Sequence, residues 1–472
     1  MIQIPARRFG VVYQSLASHQ VTDLGTGEQL ASLGLVVENM IATDCLQGGV
    51  LRKALEILQA IPVRDRIAMS VRAADIFKNG TLDGGGVAQT HDDYVELVAR
   101  TSGLPFALVQ ANTGRICQAL LNTEAIMNGL SRGLPLDIYD LGIGEQGGAP
   151  VRINPRIEAL GVCLPNNSPG VNVIWLIALA FGIPVLIRPG SSEPLTPYRL
   201  IQAHIKAGYP KEVFGYYPCD HAAANRIPLL TRGAIVFGSD DTVRRWANHP
   251  LVQVHGAGYS KLFLGDDLAD DWESLVPELA INVAANSGRS CFAISRLCTP
   301  RHGKKIAEAM AAELAKIVPL PLDHPEAKLS AMAMPNVASL VNETIDKGLQ
   351  EGGAIDMSAY HGGKRLVEFE GRTYLLPTVV YCNSNAHVLA NQEFLFPYVA
   401  VVECSTDVAF AEMGSTLSLA VYTKDGALKK RAQQSAARLV SINKPTFALD
   451  RRQPHEENLF DLLLMRESYV EK

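Results

Sequence analysis

Cys291 closes the stretch Asn286-Ser287-Gly288-Arg289-Ser290-Cys291, a small polar turn after the helical pattern DDWESLVPELAINVAA and before the strand-like FAISRLCT. A cysteine chosen for packing belongs on an apolar stripe, whereas a thiol at a glycine-containing turn is open to reagents. As a thiolate it attacks electrophilic carbon, and an oxyanion made that way needs hydrogen-bond donors nearby. Arg289 is a cation two residues away that favours the thiolate. Taken alone, a single cysteine reads more readily as a buried structural thiol. Cys298, seven residues on inside a strand pattern, reads as core.

A second chemistry-bearing feature is a pair of loops, LPNNSPGVN at 164–172 and VFGSDDTV at 236–243. Each follows a strand pattern and opens a helix. Strand carboxyl ends facing helix amino ends are where open α/β sheets bind nucleotides, because free N–H groups and the helix dipole favour phosphate. No GxGxxG follows any strand, so the ordinary dinucleotide fingerprint is absent. Asp240 and Asp241 are poor neighbours for a pyrophosphate and read as helix caps.

These loops need a framework. Residues 35–140 read mainly as helices, with DRIAMSVRAADIF and NTGRICQALLNTEAIMNGLSRG carrying apolar residues at three- and four-residue intervals. GIGEQGGAPVRINPRIEA at 142–159 reads as an extended arm or hairpin. From 160 strands and helices alternate: ALGVCLP, PVLIRPG, EVFGYYP and GAIVFGS as strands, VNVIWLIALAFG, PLTPYRLIQAHIKAG, DHAAANRIPLLTR and DDTVRRWANH as helices. Short apolar runs without period-2 polarity predict a parallel sheet buried on both faces. A second alternating block runs from KLFLGDD through the helix before Cys291, FAISRLCT, GKKIAEAMAAELAKI and strands near 375–381, 399–404 and 418–423. Trp175 and Trp246 fall on helical patterns as core residues.

The 472 residues allow two or three domains, and a net charge of −5 without a Lys/Arg cluster argues against nucleic acid as a partner. The apolar stretch 171–187 is interrupted by Gly182 and Pro184 and reads as a buried helix and strand rather than a membrane span. The first residues show no leader pattern. Eight cysteines without metal-ligand spacing predict no metal and a cytoplasmic location.

Taken in order, LPNNSPG, IRPGSSEPLTP at 187–197, FGSDD, NSGRSC, LLPTVV at 375–380, NQEFLFP at 391–397, LSLAVYTKD at 417–425 and the terminal RQPHEENLFDLL resemble the aldehyde dehydrogenase superfamily over about 150–445. The resemblance implies an α/β fold with a modified Rossmann NAD(P)-binding domain over 1–141 and 158–256 and an α/β catalytic domain over 257–440. It also implies a small oligomerisation arm over 142–157 with 441–472, a cleft between the two large domains, and a homodimer or homotetramer. Cys291 falls on the family nucleophile and Asn167 on the oxyanion-hole asparagine. Pro165, Arg188 (in place of the usual ribose-holding lysine), Ser191, Gly238, Ser239 and Glu393 fall on cofactor-binding positions. The implied reaction converts an aldehyde, through a thiohemiacetal, into a thioester on Cys291 with NAD or NADP as electron acceptor. An aldehyde tunnel drawn from helices near 110–130 and 172–180 makes Asn112, Arg115, Asn172 and Trp175 expected lining residues.

Where hydrolytic members carry the glutamate of ELGGK, this chain has QVHGAGYSK, so His255 stands in that place. Histidine is qualified as a base for water, and equally it is an ordinary strand-end residue. Loss of the glutamate also resembles relatives that pass the acyl group to coenzyme A, making an acyl-CoA the alternative partner to an aldehyde. Ser191 is neutral three residues after Arg188, which permits NADP; Glu193 is close enough to contest that. A third reading keeps the fold without activity.

Overall fold

Each alternating block forms the body of a seven-stranded sheet. In the computed structural model, residues 2–358, 360, 363–450, 452 and 459–470 are described. The chain divides into two compact units, Met1–Thr101, Val109–Gly256 and Asp450–Lys472 in one, Ser102–Leu108 and Ala257–Leu449 in the other.

The first unit's sheet contains β1 (Ala6–Arg8), β2 (Val11–Tyr13), β3 (Leu160–Cys163), β4 (Val185–Arg188), β5 (Phe214–Tyr216), β6 (Ala234–Phe237) and β7 (Val252–His255). Their spatial order is β7-β6-β3-β4-β5-β1-β2. Five strands are parallel, and every residue of β3, β4 and β5 is buried, as the unbroken apolar runs require. The antiparallel strands β1 and β2 extend the β5 edge. They were not legible in advance, because three-residue strands carry too little pattern. The helix Val173–Ala180 stops where Gly182 takes φ +82°, with Ile183 N–H bonded to the Ala178 carbonyl at 2.9 Å. A side chain at Gly182 would strike the Arg66 guanidinium, so this glycine both ends the helix and leaves room for Arg66.

The predicted arm is a hairpin of Ile143–Gln146 and Ala149–Pro155, turned by Gly147 and Gly148 with positive φ. Leu464–Ser468 pairs antiparallel with its second strand, in register from Leu464 with Pro155 to Ser468 with Val151. The helical stretch expected over 220–232 is two short helices, His221–Ala224 and Ile227–Thr231. Trp175 and Trp246 are buried as expected.

The second unit's sheet contains β8 (Lys261–Leu264), β9 (Arg296–Thr299), β10 (Ala354–Asp356), β11 (Thr378–Cys382), β12 (Tyr398–Glu403), β13 (Ser418–Tyr422) and β14 (Leu439–Ile442), in the order β10-β11-β12-β9-β8-β13-β14. All pairs are parallel except β10 with β11. FAISRLCT is a strand only from Arg296; its first half is loop. The helix Pro335–Gln350 was not anticipated. Among the described residues no helix is long and apolar enough to cross a membrane, and no group of three or more His, Cys, Asp or Glu is arranged to hold a metal ion.

Candidate active site

The loop before Cys291 is strained. After the helix Trp272–Ala284, Asn286, Ser287 and Gly288 take φ of +51°, +58° and +69° in succession. Left-handed backbone costs a non-glycine residue about 1–2 kcal/mol, so neighbouring groups must hold it. Ser287 Oγ accepts the Ser330 N–H at 2.8 Å. At Gly288 a Cβ would lie 2.2 Å from the Phe396 carbonyl carbon, so only glycine lets the 391–397 loop pass.

Three loops meet around the half-buried Cys291 at the amino ends of β8, β9 and β12. The Cys291 carbonyl accepts the Ser260 hydroxyl at 2.7 Å. Gly258 lies so close that a Cβ there would be 2.1 Å from the same carbonyl oxygen. The Glu393 carboxylate accepts the Gly258 N–H at 3.0 Å and the Tyr259 N–H as well. Glu393, expected from the resemblance at a cofactor ribose, thus uses both oxygens to fix the loop on which Cys291 rests. Behind Cys291, the Phe292 carbonyl accepts the Thr446 hydroxyl, and Asn282 Oδ1 accepts the Thr446 N–H at 2.9 Å.

Arg289, expected to favour the thiolate, commits its guanidinium to backbone carbonyls. Its guanidinium is buried and donates to the carbonyls of Ser102, at 2.7 Å, and Ala331. Burial lowers its pKa to about 10. Another buried cation, Lys261, donates from Nζ to the carbonyls of Tyr259 and Ser415 at 2.7 Å and to Thr416 Oγ1 at 2.9 Å; burial brings it to about 7.

In the first unit, strand order reverses at β3: the chain runs from β3 through β4 to β5 on one side, then to β6 and β7 on the other. Such a switch point opens a crevice outside the strand carboxyl ends. Pro165 and Asn167 lie half-buried on the loop after β3, and exposed Gly238 and Ser239 on the loop after β6. Arg188 ends β4. Asn166 joins two of these loops: its Oδ1 accepts the Ser192 N–H at 2.8 Å and its Nδ2 lies 3.5 Å from Ser191 Oγ. Gly190 is needed there, because a Cβ would be 2.5 Å from the Pro165 carbonyl. Ser168 donates to Asn112 Oδ1 at 2.9 Å, which holds the Asn167 loop from beneath.

Arg188 is 8% exposed, one Nη reaches the Cys219 carbonyl at only 3.4 Å, and Nε has no partner. A buried cation with an unused donor at a switch point fits a phosphate-bearing dinucleotide. Glu193 is not available to a ribose: it is buried and accepts the Thr196 N–H at 2.9 Å and hydroxyl at 2.7 Å, and burial raises it to about 7. Ser239, not Asp240 or Asp241, is the N-cap of the helix Asp240–Trp246 and makes no side-chain cap bond; Asp241 pairs with Arg244. His255 ends β7, buried, with its ring stacked on Phe237 at 4.7 Å and its carbonyl accepting the Gly238 N–H.

The expected tunnel lining fails at three of four positions. Asn112, Asn172 and Trp175 are fully buried, and Asn172 turns inward to the Pro169 carbonyl and the Trp175 indole N–H. Arg115 alone is exposed. The supporting residues Asn166, Ser260, Asn282 and Thr446 were missed. The SK of GAGYSK was a signal for Ser260; the others had none, because their partners are distant in sequence.

The model of the aldehyde dehydrogenase family matches residues 53–456. The chain belongs to the aldehyde dehydrogenase family. It is 25% identical over 271 residues to geranial dehydrogenase from Castellaniella defragrans, covering 53% of each chain. The chain thus spans about half the length of that curated relative. The fold is that of solved aldehyde dehydrogenases. KauB of Pseudomonas aeruginosa aligns with TM-score 0.81 and 20% identity over 99% of this chain and 96% of its own. An indole-3-acetaldehyde dehydrogenase from P. syringae, solved with NAD+ and IAA, aligns with TM-score 0.81 and 19% identity over the same shares.

Proposed function

We propose that the chain oxidises an aldehyde, with NAD or NADP, through a thioester on Cys291. The observation that carries this is the half-buried thiol at the end of three successive left-handed residues, its carbonyl fixed by Ser260 and its loop by Gly258 and Glu393. Packing alone does not call for such a loop, and strain of this kind concentrates at functional sites.

The sulfur of Cys291 adds to the carbonyl carbon, forming the C–S bond of a thiohemiacetal. The backbone N–H of Cys291 and the amide of Asn167 are the donors assigned to the oxyanion. Arg188, with Ser191, Gly238 and Ser239, would hold the cofactor, which supplies the two-electron acceptor when bound. The uncommitted Nε of Arg188, neutral Ser191 and the inward commitment of Glu193 support use of NADP.

The thioester then passes its acyl group to an acceptor. The stacked, buried His255 favours a thiol acceptor such as coenzyme A over water activated by that ring, because a thiol attacks a thioester without a strong base. In reverse, the same site would reduce an acyl-CoA. By this reading the first unit is the NAD(P)-binding domain, the second the catalytic domain, and the sheet of 143–146, 149–155 and 464–468 an assembly arm. The arm motif RQPHEENLFDLL lies partly outside the described residues. Light scattering at micromolar concentration should then return a dimer or tetramer.

The deciding experiment follows reduced nicotinamide with an aldehyde panel, NAD or NADP, with and without coenzyme A. Turnover that needs Cys291 and rises with coenzyme A supports the proposal. Turnover indifferent to coenzyme A and lost in His255→Ala assigns the water route. A chain that binds no nucleotide and turns over no aldehyde is the inactive scaffold.

A further inference from the structure

The second unit holds a thiol pair that the proposed reaction does not use. Cys298 is the third residue of β9, and Cys404 directly follows β12. The two strands are parallel neighbours, with Cys298 opposite Val402 and Thr299 opposite Glu403. The ladder continues to Cys404, whose N–H donates to the Thr299 carbonyl at 2.9 Å. Side chains alternate along a strand, so Cys298, Val402 and Cys404 share one face. Cys404 packs against both the apolar cluster containing Cys298 and the one containing Val402.

The amide of Asn385 bridges the sulfurs. Asn385 Oδ1 lies 3.5 Å from Cys298 Sγ, and Asn385 Nδ2 donates to Cys404 Sγ at 3.4 Å. Arg296, two residues before Cys298 on the same face, is a buried cation whose charge favours thiolate at both sulfurs; Glu412 opposes it at Cys404. The hydrogen bond from Cys298 comes first among the causes that bring Cys404 down to about 7, while Cys298 is raised well above its usual value. Cys404 is half-buried and Cys298 only 2% exposed. A half-buried thiol brought down toward neutral pH beside a buried thiol raised well above it is the arrangement of peroxide-sensing cysteines. By contrast, burial raises Cys45, Cys163, Cys219 and Cys382 to about 12.

We propose that Cys404 and Cys298 form a redox site, separate from Cys291, that reacts with hydroperoxides and closes to a disulfide. The Cys404 thiolate attacks one peroxide oxygen. The O–O bond breaks, leaving a sulfenic acid on Cys404 and an alkoxide or hydroxide that takes a proton. The Cys298 sulfur then attacks the sulfenic sulfur; the S–S bond forms, the S–O bond breaks and water leaves with the Cys298 proton. Two thiols and one hydroperoxide give one disulfide, one alcohol (or water) and one water.

The test uses the full-length chain with Cys291→Ala, which removes the competing thiol. After stoichiometric hydrogen peroxide, free thiols are alkylated and the protein is digested without reductant. The expected result is one linked peptide pair, 298 with 404, two hydrogens lighter than its parts and separated by reductant. Cys404→Ser should abolish it. Cys298→Ser should leave a sulfenic acid at 404 that dimedone captures. Before oxidation, iodoacetamide at neutral pH should modify Cys404 at least about tenfold faster than Cys382. Recovery of both cysteines as free thiols after peroxide overturns the proposal, as does equal alkylation of Cys404 and Cys382 in a chain whose melting temperature is unchanged.

Discussion

The two seven-stranded sheets have the same strand count and a mostly parallel layout, yet their candidate chemistry sits at opposite ends. In the first, Asn167, Arg188, Gly238 and Ser239 lie at strand carboxyl ends, around the switch point at β3. In the second, Cys291, Gly258 and Glu393 lie on loops that precede β9, β8 and β12. The carboxyl-end crevice is a property of strand order and comes with the topology. The amino-end site has no such origin and is built residue by residue, from a strained turn, close glycines and side chains that clamp backbone. The first site should therefore degrade gradually under substitution, and the second abruptly.

The sharpest break is expected at the sulfur. Cys291→Ala should lower kcat by at least about a thousandfold, with melting temperature nearly unchanged, read by nicotinamide absorbance and calorimetry. Next come the glycines of the second site. Gly258→Ala places a Cβ against the Cys291 carbonyl and Gly288→Ala against Phe396, so each should cost about 2–4 kcal/mol of stability or most of the activity, by denaturant titration and kcat.

In the first unit, Arg188→Met should raise KM for the cofactor by about tenfold to a hundredfold while saturating kcat falls less. An unchanged KM would remove Arg188 from the cofactor site.

The buried cation Lys261 gives a pH test. Its native pKa, about 7, lies below its ordinary value of 10.5. Between those values the unfolded chain binds the proton and the native chain does not, so stability should rise with pH over that window, by at most about 1.4 kcal/mol per pH unit. Urea midpoints from pH 7 to 10 should show the slope, and Lys261→Met should flatten it. The smallest effect is expected at the exposed Asp241–Arg244 pair, where Asp241→Asn should change stability by less than about 0.5 kcal/mol.

Legibility varied with the range of the interactions involved. Strands β3 to β6 and their helices were readable because buried runs between glycines and prolines are local signals. The strands Ala6–Arg8 and Val11–Tyr13 were not, because pairing at the β5 edge decides them. The turn that leads to Cys291 was readable from its glycine and small polar residues. For Arg289, sequence proximity to the sulfur said nothing of Ser102 and Ala331, the carbonyls that its guanidinium also binds. Trp175 was readable as core from its helical pattern, whereas Asn112 and Asn172 were misread as tunnel lining because the resemblance does not tell a cavity wall from an interior packed solid.

The sequence by itself determined the alternating α/β architecture, the family and the turn that ends in Cys291, since each is written in short patterns of polarity and glycine. Tertiary structure decided which charges are spent. Arg289, Glu193 and Glu393 are committed to backbone groups and Thr196, Arg188 retains an unused donor, and Cys404 lies beside Cys298. Those outcomes depend on hydrogen-bond partners up to 187 residues away, and burial makes an unmade pairing costly.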